Sequence, residues 1–290
     1  MEYTGERYIP TEQGNIRYEH LHRYFATLPF IQGKDVLDIA CGEGYGSSIL
    51  SEHARSVIGV DIDTECIEFA QSQYRRENIR FLKGSCVEIP VESLSIDVVV
   101  SFETIEHHDK HDEMIEEIKR ILKPDGILII SSPNKDYFQS IPGHHNPFHI
   151  KELNYEEIEN LLNKYFKYVS INGQRLVVNS LIMPINEKLH QKEKFQFYNQ
   201  DNLIYEMVNP YYFFILCSDL NIENSKQVNS LYLDKEDIYQ DICNILKSCN
   251  KTIGELRVIE QSTFNKIRKL WMKLKKILKI FEEQPIFSKK

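Results

Sequence analysis

The feature that most constrains this chain is a short apolar stretch that leads directly into a glycine-rich loop. Residues 34–40 have the composition of a buried strand, the loop carries Gly42, Gly44 and Gly46, and a helix is predicted over residues 47–53. Glycines at this place let the backbone approach a ligand closely. The pattern therefore predicts the strand, loop and helix that open a parallel α/β sheet with a ligand-binding turn.

Strands and helices continue to alternate along the chain. Four more strands are predicted from apolar and β-branched runs, at residues 56–61, 80–84, 96–101 and 126–131. Helical spacing is found at residues 64–75, 114–122 and 155–165. Residues 168–171 and 211–217 are expected to close the sheet as an antiparallel pair. We therefore predict an α/β fold with a doubly wound, mostly parallel sheet of seven strands.

Composition and charge argue against several classes of function. The formal net charge of −8 argues against a nucleic-acid partner, because phosphate contacts need clustered Lys and Arg. The six cysteines are scattered without a CxxC pair, so neither a disulfide framework nor a structural zinc site is indicated. The sequence has no run of about eighteen apolar residues, and its first residues lack the order of a signal peptide. We expect a cytoplasmic protein.

A glycine loop after a strand binds either NAD or S-adenosylmethionine, and two details favour the second. The dinucleotide motif places its third small residue three positions after Gly44, whereas the third glycine here is Gly46. Asp38 lies inside the strand, where its carboxylate can hold the loop and reach the ammonium of a methionine moiety through water. Asp61, nineteen residues after Gly42, would accept hydrogen bonds from the ribose hydroxyls of either cofactor. The alternative is a plain tight turn, with Asp61 capping the next helix.

These residues resemble the class I methyltransferase superfamily, with Asp38–Gly46 as its first motif and Ile58–Asp61 as its second. The resemblance covers residues 34–220 and implies a Rossmann-like fold with S-adenosylmethionine as cofactor. The cofactor-binding residues that it implies are Asp38, Gly42, Gly44, Asp61, Ile62, Ser85, Cys86 and Phe102. The chain departs from the pattern at Ser85, where many members have an acid that accepts a hydrogen bond from the adenine amino group.

A closer resemblance is to bacterial methyltransferases encoded with glycosyltransferases. Thr4–Tyr8 reads Thr-Gly-Glu-Arg-Tyr and Glu19–Tyr24 reads Glu-His-Leu-His-Arg-Tyr, as in those proteins. The resemblance implies O-methylation of a sugar or glycan-linked acceptor in surface polysaccharide biosynthesis. It also implies an N-terminal segment folded over the cofactor, with Arg7 or Arg23 pairing with its carboxylate; the alternative is an ordinary helix packed on the core. Methylation of a quinone-like or other small metabolite, and a non-catalytic cofactor-binding scaffold, remain alternative functions.

A set of acidic and histidine residues predicts a metal site. Glu103, Glu106 and His107 stand at i, i+3 and i+4, so a helical turn after the fourth strand would put them on one face. His149 follows the fifth strand and opens on the same crevice. The set resembles the signature of metal-dependent O-methyltransferases that act on the terminal ribose of small RNAs or on quinone precursors. It predicts Mg²⁺, Mn²⁺ or Fe²⁺ bound by Glu103, Glu106, His107 and His149, the last three being catalytic. His144 or His145 could replace His149 as the fourth ligand. In the alternative no metal is bound, and His107 acts as a base or fixes the loop.

The sequence predicts a domain boundary near the end of the resemblance. Residues 1–220 would form the methyltransferase domain, with an insertion at about residues 181–209 that covers the substrate. Residues 221–290 would form a helical, partly basic tail, in which apolar residues follow 3/4 spacing and residues 264–281 contain seven basic and no acidic side chains. The tail would self-associate or lie on an anionic membrane surface at the inner face; the third interpretation is packing on its own catalytic domain.

Overall fold

The computed structural model describes residues 15–143, 145–176, 209–221, 251 and 266–274. Within this part of the chain, one sheet contains seven strands: β1 (Asp35–Ile39), β2 (Ser56–Asp61), β3 (Ile79–Lys83), β4 (Ile96–Phe102), β5 (Leu122–Pro133), β6 (Tyr168–Gln174) and β7 (Tyr212–Ser218). Among the described residues up to 176, the helices are α1 (Asn15–Ile31), α2 (Tyr45–Ser51), α3 (Thr64–Gln73), α4 (His111–Ile121), α5 (Lys135–Gln139) and α6 (Tyr155–Asn163), with a 3-10 turn at Ile105–His107. Residues 266–274 form a further helix.

The strand order is β3-β2-β1-β4-β5-β7-β6. The first five strands run parallel, and β7 lies antiparallel to both β5 and β6. The predicted doubly wound, seven-stranded sheet with a closing antiparallel pair is confirmed. Parallel strands need crossover connections, and α2, α3 and α4 provide those from β1 to β2, β2 to β3 and β4 to β5, in agreement with the alternation predicted from the sequence.

Two apolar cores cover the two faces of the sheet. On one face α4 and α6 pack with Val99, Leu128 and Ile130, and on the other α1 and α2 pack with Val98 and Ile129. Consecutive strand side chains point to opposite faces, so the central residues of β4 and β5 are apolar on both faces. This requirement explains the β-branched run Val98–Val100 in β4 and the apolar run Ile127–Ile130 in β5.

Several predictions fall on residues outside the described ones. The expected insertion at residues 181–209 and most of the tail seam belong to this group. The chain divides into two compact units, Met1–Leu233 and Asp234–Lys290. The domain boundary at residue 220 stays a prediction. Among the described residues, no helix is both long and apolar enough to cross a bilayer.

Candidate functional site

A cavity of about 670 Å³ lies at the carboxyl ends of the central strands. Its walls come from the segments that follow β1, β2, β3 and β4. The strand order reverses between β1 and β4, and ligands of open α/β sheets bind in the crevice at such a switch point. The volume is in the range of small-molecule sites. The position of the cavity is therefore a consequence of the topology.

The loop after β1 is held in an unusual backbone conformation. Ala40, Gly42 and Gly44 have positive φ angles of 58°, 54° and 82°. The Gly42 N–H donates to Asp61 Oδ2 at 2.8 Å, which ties this loop to the end of β2. Gly42 and Asp61 line the cavity, whereas a Cβ atom at Gly44 would lie 2.7 Å from the Phe81 ring behind the loop. Any larger side chain at Gly44 would collide with Phe81, so this position of the loop requires glycine.

Asp38 is buried beneath the same loop. Its Oδ2 accepts a hydrogen bond from Ser47 Oγ at 2.6 Å, and its Oδ1 accepts one from the Tyr24 hydroxyl at 3.3 Å. The residue is 1% exposed and is not among those that line the cavity. Of its two suggested roles, holding the loop is the one that these contacts support.

The buried position of Asp38 leads to a testable pH dependence. Burial raises its pKa to about 7, although the hydrogen bonds from Ser47 and Tyr24 act in the opposite direction. The unfolded value is about 3.9, so the stability associated with this group is full below about pH 4 and is lost as the pH rises through the folded pKa. We expect the free energy of unfolding of the wild type, relative to that of Asp38→Asn, to fall between about pH 4 and pH 7 and then to level off.

Denaturant titrations at a series of pH values would measure this difference. The exposed Asp125→Asn is the matched control, and its stability should follow that of the wild type across the series. A difference between Asp38→Asn and the wild type that stays constant with pH would contradict the expectation.

Four further predicted cofactor residues line the cavity. Ile62 is 70% exposed, Ser85 and Cys86 follow β3, and Phe102 ends β4. Cys86 Sγ lies 3.4 Å from Nε2 of His108, a cavity residue that the sequence reading did not select. The structure therefore brings six of the eight predicted cofactor residues to the cavity wall: Gly42, Asp61, Ile62, Ser85, Cys86 and Phe102.

Glu103 is separated from the residues with which it was predicted to bind a metal. It has a positive φ of 50° and precedes the 3-10 turn, so the expected helical face starting at Glu103 is wrong. Its Oε1 accepts from Ser131 Oγ at 2.6 Å and lies 3.4 Å from Arg23 Nη1. The Glu103 carboxylate is engaged on the side of β5 and α1, although it lines the cavity.

Arg23 has a different position from the one implied by the family resemblance. It is 1% exposed, its Nε donates to Gln174 Oε1 at 2.7 Å, and its guanidinium lies over the Tyr212 ring at 4.3 Å. It is not a cavity-lining residue, so these contacts give it the role of holding Glu103 and Tyr212 in place. Arg7 lies outside the described residues.

Glu106, His107 and His149 come together as predicted. One ligand atom from each lies within 4.8 Å of the other two, and the two imidazole rings meet edge to face at 5.2 Å. Glu106 is 1% exposed, and among the described residues neither of its carboxylate oxygens has a hydrogen-bond partner. Burial, followed by the nearby charge of Glu103, raises the pKa of Glu106 well above its ordinary value.

Hydrogen bonds fix both imidazole rings. His107 Nδ1 lies 3.1 Å from the carbonyl oxygen of Phe148, which can only accept, so Nδ1 carries the proton. His149 Nδ1 lies 2.5 Å from Glu152 Oε1, and its Nε2 lies 2.8 Å from Asn146 Nδ2. In the neutral rings both Nε2 atoms therefore carry the lone pair.

Sequence reasoning missed aromatic residues that complete the site. Tyr24 packs edge to face against Tyr45 and Phe102, with ring centroids 5.4 and 5.1 Å apart. Tyr212 and Phe138 line the cavity and meet each other at 5.6 Å. Tyr24 ends the Glu19–Tyr24 segment noted in the sequence, but nothing local marks Tyr212, because β7 reaches the site from a remote part of the chain.

Comparisons with known proteins agree with this arrangement. Residues 37–130 match the family model described as a methyltransferase domain. A probable S-adenosylmethionine-dependent methyltransferase of Mycolicibacterium smegmatis is 38% identical over 164 residues, covering 55% of this chain and 62% of that protein. A protein of the same description from Mycobacterium tuberculosis is 37% identical, covering 55% of this chain and 58% of that protein. The chain thus spans less than two thirds of the length of these curated relatives.

More distant relatives and solved structures complete the comparison. A phthiotriol/phenolphthiotriol dimycocerosates methyltransferase of Mycobacterium leprae is 28% identical and covers 41% of this chain and 44% of that protein. A Pyrococcus horikoshii structure has a TM-score of 0.54 at 18% identity, covering 73% of this chain and 94% of that chain. A methyltransferase structure from Thermotoga maritima has a TM-score of 0.50 at 17% identity, covering 70% and 90%. These likenesses show the Rossmann-like fold.

Proposed function

We propose that this chain is an S-adenosylmethionine-dependent methyltransferase whose acceptor is a hydroxyl group of a sugar or glycan-linked molecule. The observation that carries the chemistry is the anchored ring of His107. Its Nδ1–H donates to the Phe148 carbonyl, which keeps the lone pair on Nε2, and His107 is one of the residues that line the cavity. A nitrogen held in this way is suited to take the proton of a hydroxyl that attacks the sulfonium methyl group in line.

The cofactor would lie along the carboxyl ends of β1, β2 and β3. Asp61 would accept hydrogen bonds from the ribose hydroxyls, and the exposed side chain of Ile62 would cover the adenine. Ser85 also lines the cavity, and its hydroxyl is suited to an adenine edge. The methionine part would follow the Gly42 loop toward α1, with Asp38 acting through the loop that it holds.

The wall around His107 supports a neutral, hydroxyl-rich acceptor. Glu103 lines the cavity, and its two contacts with Ser131 and Arg23 both use Oε1, so Oε2 would be the atom that accepts from an acceptor hydroxyl. Tyr212 and Phe138 offer aromatic surface to the apolar face of a sugar ring. An anionic acceptor would instead meet the charge of Glu103. These features favour a sugar over a phenolate or a carboxylic acid.

Methyl transfer from isotopically labelled S-adenosylmethionine would test the proposal. The purified chain would be incubated with nucleotide-activated sugars, lipid-linked glycans and phenols, and the products would be identified by mass spectrometry. We expect the label on a sugar hydroxyl oxygen. Label on a phenol would support the small-metabolite alternative, and cofactor binding without turnover on any acceptor class would support the scaffold alternative.

A divalent cation is the second candidate for activating the hydroxyl. The specific observation is the buried Glu106 carboxylate, whose oxygens lack partners among the described residues, beside two imidazoles with anchored Nδ1 atoms. Ligating histidines are typically held in this way. One carboxylate and two imidazoles fit Mn²⁺ or Fe²⁺, and Mg²⁺ less well; the ion would supply a Lewis acid that eases hydroxyl deprotonation. His107 and His149 would then be ligands, with the ion taking the place of the Asn146 amide at His149 Nε2, and Glu103 would stay with Arg23.

Metal analysis separates the two candidates. Metal content would be measured on the purified chain, and activity would be measured after dialysis against a chelator and during Mn²⁺ titration. Stoichiometric metal, loss of activity on chelation and recovery with Mn²⁺ would establish the cation. Full activity in metal-free protein would leave His107 as the base.

A further inference from the structure

The helix at residues 266–274 has its side chains sorted into two faces. Ile267, Leu270, Trp271 and Leu274 stand at i, i+3, i+4 and i+7, within an arc of about 100° around the helix axis. Four basic residues occupy other directions: Lys266, Arg268, Lys269 and Lys273. These nine residues include no acid. The helix is therefore amphipathic, with an apolar face bordered by positive charge alone.

The apolar face is exposed to an unusual degree. Ile267, Leu270, Trp271 and Leu274 are between 51% and 65% exposed, although large apolar side chains are normally buried. Grouped exposed apolar residues mark an interaction surface more often than scattered ones do. This face is suited to a partner that accepts both apolar side chains and cations.

We infer that residues 266–274 dock onto an anionic lipid surface, with the apolar face entering the boundary between headgroups and acyl chains. Lys266 and Arg268 flank the apolar arc, where long basic side chains bury their methylene groups and extend their charges to lipid phosphates. A second copy of the helix is a poorer partner, because pairing two apolar faces would place basic flanks opposite basic flanks. The inference is independent of whether the chain transfers methyl groups.

The test uses the full chain and its own fluorescence. Trp271 is the only tryptophan in the sequence, so its emission reports on this helix alone. We expect a blue shift and co-sedimentation with vesicles in which about a third of the lipid is phosphatidylglycerol, and much weaker binding to pure phosphatidylcholine. Raising the salt concentration should weaken the binding, because the attraction to the headgroups is screened.

Two variants and one control make the test specific. Leu270→Glu, which places a charge in the apolar face, and the combined Lys266→Gln, Lys269→Gln and Lys273→Gln should each lower vesicle affinity at least about tenfold. Met272→Gln lies off the apolar arc and should bind as the wild type does. Unchanged Trp271 emission with anionic vesicles would overturn the inference. If the wild type does not bind vesicles, dissociation of a dimer in Leu270→Glu would assign the apolar face to a second copy. A lower melting temperature of Leu270→Glu would instead assign it to the rest of this chain.

Discussion

Replacing His107 by glutamine is expected to lower the rate of methyl transfer about a hundredfold to ten-thousandfold, with little change in cofactor affinity. Glutamine keeps a polar, neutral side chain of similar size at this position, but it has no basic nitrogen for the hydroxyl proton. Single-turnover rates and calorimetric titration of S-adenosylmethionine measure the two effects separately.

The control for this substitution is His53→Gln, which makes the same chemical change at the end of α2, away from the cavity. Its rate should equal that of the wild type. A His107→Gln protein with a wild-type rate would remove His107 from the mechanism. Glu106→Gln distinguishes the two candidates for activating the hydroxyl. If His107 acts as a base without a metal, this variant should retain most activity. If a cation is bound, the variant should lose metal and activity together.

The second large effect is expected at Asp61. Its Oδ2 accepts from the Gly42 N–H and its Oδ1 from the Asp63 N–H, and each oxygen has a second lone pair for a ribose hydroxyl. Asp61→Ala should weaken cofactor binding by about 1–3 kcal/mol, or roughly tenfold to a hundredfold. Asp61→Asn should be similarly harmful, because its amide group would face one of the two backbone donors.

Calorimetry with the exposed Asp125→Ala as control measures this effect. Unfolding curves of the same proteins would show how much of the loss comes from a loosened loop. An Asp61→Ala protein that binds S-adenosylmethionine as tightly as the wild type would place the ribose elsewhere in the cavity.

The topology could be predicted from the sequence because its signals are local. Apolar runs and helical spacing alternate at the lengths that a parallel sheet needs, and β2 spans the predicted residues 56–61 without change. Boundaries depend on tertiary pairing and were less accurate. β5 extends back to Leu122 because Leu122 pairs with Ile96, and the short helix α5 lacks the length that makes a period detectable.

The site could be predicted where motif spacing or the order of the strands brings residues together, as it does for His107 and His149. Asp38 lies in β1, Gly42 lies in the loop that follows it, and Asp61 ends the next strand, so spacing identified all three. The helical spacing predicted for Glu103, Glu106 and His107 was wrong at Glu103. This residue has a positive φ and precedes the 3-10 turn, so it does not share a helical face with the other two. Tyr212 enters from an antiparallel strand far along the chain, a placement that only the folded sheet determines.

The position of α1 has a consequence for dividing this protein into parts. The recognised domain begins at residue 37, yet Tyr24 and Arg23, both on α1, hold Asp38 and Glu103 from outside that boundary. Arg23 also reaches Gln174 on β6, beyond the other end of the match. A fragment or chimera cut at the recognised limits would remove Tyr24 from the buried Asp38, which would keep Ser47, and would remove Arg23 from the partly exposed Glu103. The part of the chain that must stay together is therefore longer than the matched residues 37–130. A chimera with a relative would have to include both α1 and β6 along with those residues.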